Sequence, residues 1–262
     1  MKPITNLRSL VPILILSLAL GAQAQSKPEA LPTAESILDR FIEATGGKAA
    51  HSSKKSEIVE ATMKIAGMGV TGKMMRYSAP PDSMYSAVEL GPAGKMESGV
   101  TSGVAWDKNA VMGARLKDGE ERTQALRSAR FNGVMEWRQV YSKAEVVGRE
   151  TAEGEDCYKV VLTPKEGRPE TQYYSVRTGL LRKTTTTAVS PMGEVQAEAV
   201  VLEYKQIDDI LYPIRSREKA GSVSMDLNIM SVRWNEPIDP QLFQLPADIR
   251  ALLPGAKAAQ EK

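Results

Sequence analysis

The sequence has few of the residues from which most catalytic and metal sites are built. Among its 262 residues there is one cysteine, Cys157, and one histidine, His51. A single cysteine excludes an intramolecular disulfide, and one histidine with one cysteine is too few for the usual tetrahedral zinc site. His51 follows a helix in a polar stretch that offers no catalytic triad, so we interpret it as a surface residue. We therefore expect no enzyme activity, no metal and no cofactor.

The sequence also lacks an excess of charge of either sign. It contains 34 Lys and Arg residues and 32 Asp and Glu residues. Removal of the first 24 residues, which carry Lys2 and Arg8 and no acidic residue, leaves 32 of each. A chain with balanced charge and no basic run has no electrostatic reason to bind nucleic acid. We therefore expect no nucleic-acid partner.

Residues 1–24 have the composition of a secretory signal peptide. Two basic residues precede an apolar run from Leu10 to Leu20, which ends in Gly21-Ala22-Gln23-Ala24. This order of basic, apolar and small residues predicts cleavage after Ala24. The run is too short to span a bilayer, which requires ~20 apolar residues. We therefore expect a periplasmic protein with no transmembrane segment in the mature chain.

Composition and periodicity divide the rest of the chain into a linker (25–32), one domain (33–248) and a flexible tail (249–262). Thr33 is positioned to cap an amphipathic helix that ends near Thr45. A second helical stretch runs from Asp118, with Glu121 as the partner in a capping box, and Asn132-Gly133 divides it. Nearly all of the other segments alternate between apolar and polar residues and are separated by turn signals, which predicts an antiparallel meander.

The predicted fold class is therefore mainly β with helices (α+β). A strongly curved sheet roofed by amphipathic helices leaves an apolar pocket, and such pockets bind apolar molecules. We expect the cavity to be lined by apolar side chains of the first half of the sheet and of the second helical stretch. The candidates are Ile65, Val70, Met74, Tyr85, Val88, Trp106, Met112, Leu126, Val134, Met135 and Trp137.

Four stretches resemble the LolA-like superfamily, the periplasmic proteins that sort outer-membrane lipoproteins. They are ESILDRFIEATGGKAA (35–50), GVAWDKNAVMGARL (103–116), TQYYSVRTGLLRK (171–183) and NEPIDPQLFQLP (235–246). Each motif is weak alone, and their order along the chain carries the resemblance. It implies a half-open antiparallel β-barrel with amphipathic helices as a lid over a cavity that shelters an acyl chain.

One position departs from the family pattern. The lipoprotein carrier has an arginine just before the proline that ends its second strand, and the matching position here is Ala79, before Pro80. Arg76 lies nearby in a different register. The release mechanism of the carrier is therefore not transferred to this chain.

Two functions agree with these observations. The first is a binding or carrier protein for a lipid or a lipoprotein acyl chain. The alternative is a protein-interaction or envelope-sensor module, which binds an envelope protein with its concave sheet and carries no lipid. In either case we interpret Phe243 as a structural residue that plugs an open end of the barrel.

Overall fold

The strands of this protein follow the alternating apolar runs of its sequence. The computed structural model describes residues 30–67 and 69–254, and from Leu31 onward these residues belong to one unit. The predicted signal peptide (1–24), most of the predicted linker and residues 255–262 of the predicted tail lie outside the described residues.

Thirteen strands are formed by the described residues, and they make up one antiparallel sheet. The strands are β1 (Glu57–Ile65), β2 (Val70–Ala79), β3 (Ser83–Glu89), β4 (Lys95–Thr101), β5 (Val104–Asn109), β6 (Gly113–Leu116), β7 (Tyr141–Ala152), β8 (Glu155–Pro164), β9 (Glu170–Ser175), β10 (Leu181–Ser190), β11 (Gly193–Ile207), β12 (Ile210–Ala220) and β13 (Val223–Trp234).

Five α-helices accompany the sheet in the described residues: α1 (Ala34–Ala44), α2 (Gly47–Ser52), α3 (Gly119–Ala129), α4 (Trp137–Val140) and α5 (Ala247–Arg250). Short 3₁₀ turns lie at Gly91–Ala93, Gly133–Glu136 and Pro240–Phe243. Within the described ranges, no helix has the length and apolar character needed to cross a membrane.

The first strand pairs with the last, and this pairing joins two meanders into one sheet. The strand order is β6-β5-β4-β3-β2-β1-β13-β12-β11-β10-β9-β8-β7. Strands β6 and β7 are therefore the two edges, and they do not pair with each other. The result is a half-open antiparallel barrel with helices, which confirms the predicted fold class.

The chain passes from one edge strand to the other through a helical lid, which we define as residues 119–140. Helix α3 packs on β4, β5 and β10. The Gln124 side-chain amide donates to the carbonyl of Thr187 (2.8 Å), and the amide N–H of Phe131 donates to the carbonyl of Pro81 (3.0 Å). The lid is thus fastened to both halves of the sheet, and the face beneath it is the concave face.

Helix α1 covers the other part of the concave face. The Thr33 hydroxyl accepts a hydrogen bond from the backbone N–H of Ser36 (3.2 Å), which confirms the predicted N-cap. The buried side of the helix packs against Val160, Leu162 and Tyr174 of β8 and β9. Trp137 of the lid belongs to the same cluster. Burial of large apolar and aromatic side chains thus holds α1 against the sheet.

The predicted capping box at the start of α3 is wrong. The Asp118 side chain makes no capping hydrogen bond. The Glu121 carboxylate instead accepts hydrogen bonds from Arg115 (2.7 Å) and Lys117 (2.8 Å). The hydrogen bond from Arg115 lowers the pKa of Glu121 to about 2, so this carboxylate stays charged and ties the lid to β6.

A C-terminal clamp, which we define as residues 240–254, covers the outer face of β3–β6. Its turn Pro240–Phe243 contacts β3 and β4, and α5 contacts β6. Lys108 of β5 pairs with Asp248 (2.7 Å). The turn that contains Phe243 therefore lies against two strands, and the role of Phe243 as a plug in the barrel end stays a prediction. Ile249 is fully buried, so the folded unit crosses the predicted boundary at residue 249.

Truncation of Ile249 tests the clamp. We expect Ile249→Ala to lower the free energy of unfolding by ~2–5 kcal/mol, because the change removes buried methyl groups and leaves a cavity. The matched control is Leu252→Ala, since the Leu252 side chain is 48 % exposed. Urea unfolding followed by circular dichroism measures both. Equal stability of the two variants would contradict a clamp that packs on the sheet.

Candidate functional site

A cavity of about 360 Å³ lies between the concave face of the sheet and the helices. Apolar and aromatic side chains make up most of its wall. From the sheet come Glu57, Arg76, Ser78, Met84, Leu181, Val201, Tyr204, Ile210, Leu211, Tyr212, Pro213 and Trp234, and from the helices and the lid come Phe41, Thr45, His51, Ser128, Ala129, Arg130, Phe131, Asn132 and Val134. We call this the main cavity.

Strand pairing explains which side chains reach the concave face. Directly paired residues of antiparallel strands point to the same face, and successive residues point to opposite faces. Met84 pairs with Ser78 on one side and Val100 on the other. Met84 and Val100 pack with Ala129 of the lid, so this set faces the lid. The residues that alternate with them face outward.

An ion pair lies in the wall of the main cavity. The Arg76 guanidinium donates a hydrogen bond from Nη2 to Oε2 of Glu57 (2.7 Å), and the Tyr212 hydroxyl donates to Oε1 of the same carboxylate (3.0 Å). Trp234 packs edge-on against Tyr212, with ring centroids 5.7 Å apart. Glu57 and Trp234 are direct partners in the β1–β13 pairing. The strand pairing that joins the two meanders thus also assembles this polar cluster.

The cluster is electrically compensated. Burial alone would lower the pKa of Arg76, but attraction to Glu57 outweighs it and raises that pKa. Burial raises the pKa of Tyr212, so its hydroxyl remains a donor. The side chain of Glu57 is 10 % exposed and that of Arg76 is 39 % exposed. The pair therefore presents a polar surface with no net charge to the cavity.

His51 connects α2 to the lid. Its Nε2 lies 3.0 Å from the Thr45 hydroxyl oxygen, and its backbone carbonyl accepts a hydrogen bond from the Asn132 side chain (2.8 Å). The Thr45 hydroxyl lies within donating distance of the Phe41 carbonyl (2.9 Å). The interpretation of His51 as a surface residue of a polar segment is wrong, because the ring is half-buried in the cavity wall. The polar residues around it are the end of a helix that packs inward.

A second cavity of about 230 Å³ adjoins the first. The two share three lining side chains, Phe41, Val134 and Leu181. The far wall of the second cavity includes Trp137 of the lid and Leu162 of β8. We call it the annex. The main cavity and the annex are therefore adjoining spaces whose common boundary includes these three residues.

The predicted lining residues are distributed over several places. Val134 lines both cavities and Trp137 lines the annex. Met135 packs against the α1 cluster, and Leu126 packs against the cluster of Val100 and Ala105. Four others lie on the concave face of β1–β3, in phase with Arg76 and Met84 but outside the walls of both cavities: Ile65, Val70, Met74 and Val88.

Three of the predicted lining residues do not face the lid at all, which corrects the expected cavity wall. Tyr85 pairs with Gly99, which pairs with Trp106, so both aromatic side chains lie on the outer face. A Cβ atom at Gly99 would lie 2.6 Å from the Trp106 ring, so the ring packs directly on the strand. Met112 follows the end of β5 in a hairpin turn and is 44 % exposed.

Two other sequence-based interpretations concern chemistry. Cys157 is fully buried beside Ala152 and Tyr173, as predicted, and burial raises the pKa of its thiol. Within the part of the chain that the structure describes, no three His, Cys, Asp or Glu side chains are grouped as a metal site would require.

The predicted lining residues do not include the polar cluster, although the sequence contains a signal for two of its members. Glu57 is in phase with the apolar face of β1 that contains Val59 and Ala61, and Arg76 is in phase with Met74 on β2. A charged residue in phase with an apolar face points toward the core. Trp234 carries no such signal, because only the β1–β13 register places it beside Glu57.

The ion pair predicts an asymmetry between single and double variants. We expect Arg76→Met to destabilise the fold by roughly 2–3 kcal/mol, because the substitution leaves the Glu57 carboxylate without a cation. The expected loss is smaller than for a fully buried pair, because Arg76 is partly exposed. The double variant Glu57→Gln/Arg76→Met should recover much of this loss. Denaturant unfolding of the three proteins measures both values. Additive losses would show that the two side chains do not interact.

His51 predicts a pH dependence of stability. Burial lowers the pKa of His51, and the charge of Asp209 opposes this only in part. As pH falls through ~6.5, the unfolded chain takes up a proton that the folded chain takes up only at lower pH, so stability decreases. We expect the free energy of unfolding to fall between about pH 7.5 and pH 5.5. In His51→Gln this slope should disappear; an unchanged slope would assign it to other groups.

Similar architectures occur among solved structures. A LolA superfamily protein from Nitrosomonas europaea has a TM-score of 0.58 at 13 % identity, over 82 % of this chain and 99 % of that chain. A DUF1329 family protein from Desulfovibrio piger has a TM-score of 0.55 at 15 % identity, over 80 % and 97 %. An outer membrane lipoprotein-sorting protein domain from Vibrio parahaemolyticus has a TM-score of 0.51 at 11 % identity, over 80 % and 97 %.

No family model matches the chain, and no curated protein matches it. The likeness to solved structures therefore concerns the fold. With its open antiparallel sheet, its helical lid and the cavity between them, this chain has the LolA-like fold.

Proposed function

We propose that the protein is a periplasmic binding or carrier protein that holds a lipid or a lipoprotein acyl chain in its main cavity. The observation that carries the proposal is the apolar space of about 360 Å³ between sheet and lid. Its volume falls in the range of ~300–1,000 Å³ that is typical of small-molecule sites. Periplasmic location rests on the signal-like composition of residues 1–24.

The charges around the cavity favour an uncharged ligand. Each lining arginine has its own carboxylate partner: Arg76 pairs with Glu57, and Arg130 pairs with Glu136. The carboxylate of a free fatty acid would therefore be buried beside Glu57 with no unpaired cation to neutralise it, and burial of such a charge is costly in free energy. An acyl chain in ester or amide linkage brings only hydrogen-bond acceptors. Arg76 is suited to donate to such a group, because Nη2 is the only guanidinium nitrogen with a hydrogen bond to a described residue.

Native mass spectrometry of the protein purified from its own periplasm tests the proposal. We expect a folded protein with a bound species of lipid mass, which is released by organic solvent. A stoichiometric bound protein without lipid would favour the alternative, a protein-interaction or sensor module. An empty protein that also fails to take up added lipid would reject the carrier function.

A cavity-filling variant tests the location of the ligand. Val201 lines the main cavity from β11, so Val201→Phe should fill part of it and lower the fraction of protein with bound lipid severalfold. Val111→Phe is the matched control, because Val111 lies in the turn between β5 and β6 and is 93 % exposed. Native mass spectrometry of the folded fractions measures both. Equal occupancy of the two variants would place the ligand elsewhere.

A further inference from the structure

The annex is too small to serve as an independent site. Its volume of about 230 Å³ lies below the ~300 Å³ at which small-molecule pockets begin. It shares Phe41, Val134 and Leu181 with the main cavity. Its position therefore suits an extension of the main cavity better than a separate function.

The partition between the two spaces consists of side chains from three different elements. Phe41 comes from α1, Val134 from the 3₁₀ turn of the lid, and Leu181 from the start of β10. Val134 and Leu181 are only partly buried. Leu181 lies at a register shift between β9 and β10, where regular pairing is interrupted. Because all three residues line both spaces, they form the boundary at which the two spaces meet.

We propose that the annex is a chain-length subsite: the distal part of a long acyl chain displaces the partition and enters it, while a short chain remains in the main cavity. This inference rests on the proposed function and adds a specificity to it. The direction follows from the polar cluster. Glu57, Arg76 and Tyr212 line the main cavity and not the annex, so the ester or amide end lies there and the chain end points to the partition.

Two tryptophans allow the two spaces to be distinguished. Trp234 lines only the main cavity, and Trp137 lines only the annex. Trp106 lies on the outer face and serves as an internal control. Aromatic side chains that contact a ligand respond to its presence, and bromine atoms quench nearby tryptophan emission. The position of a brominated carbon can therefore be read from the tryptophan that it quenches.

The experiment compares monoacylglycerols that carry an octanoyl or a palmitoyl chain, each brominated near the chain end. We expect the octanoyl compound to quench Trp234 and the palmitoyl compound to quench Trp137. Assignment uses Trp137→Phe, which should abolish quenching by the palmitoyl compound, and Trp106→Phe, which should leave it intact. Quenching of Trp234 alone at both chain lengths would overturn the subsite, and absence of any binding would instead reject the proposed carrier function.

A variant of the annex provides an independent test. Each methylene that the wild-type annex buries should raise affinity about fourfold. Val140→Phe fills part of the annex, because Val140 lines it and not the main cavity. We expect this variant to lose most of the preference for palmitoyl over octanoyl and to bind the octanoyl compound as the wild type does. Val111→Phe, in the exposed turn between β5 and β6, should keep the preference. A preference that survives in Val140→Phe would overturn the proposal.

Discussion

The antiparallel pairing of β1 with β13 is the constraint on which the rest of this structure depends. Each meander alone would be a sheet whose neighbouring strands are joined by short hairpin connections, and it would need no long connection between distant strands. Once the first and last strands pair, β6 and β7 become opposite edges of one sheet, and residues 117–140 must connect them. The connection that faces the apolar side of the sheet buries the most apolar surface, so the lid and its cavity follow from strand order.

The same pairing explains the presence of charge in an apolar cavity. It brings Glu57 beside Trp234. On the other side of β1, Glu57 pairs with Ser78 of β2, and Arg76 lies two residues from Ser78 on the same face of that strand. A partly buried ion pair is a weak source of stability compared with apolar residues of similar volume. Under the proposed function, the pair orients the polar end of the ligand, which apolar walls cannot do.

The sequence predicts the fold better than the site, and individual residues show why. The strands and α1 follow from local periodicity, as the alternation around Val59 and the cap at Thr33 illustrate. The sequence predicts the wrong face for Trp106 because the C-terminal clamp covers the outer face of this part of the sheet. Apolar residues are then buried on both faces, and hydrophobicity alone does not identify the concave one. Residues 240–254 lie far from β5 in the chain, and only the tertiary structure reveals that they cover it.

The attachment of the lid at both edges of the sheet gives the cavity a mechanical character. One end of the lid follows β6 in the chain, and the other end continues directly into β7. A segment that is attached at both ends cannot open by rotation about a single hinge. A displacement of the lid is therefore coupled to both edge strands at once. The space beneath the lid and the separation of β6 and β7 are linked through one continuous stretch of chain.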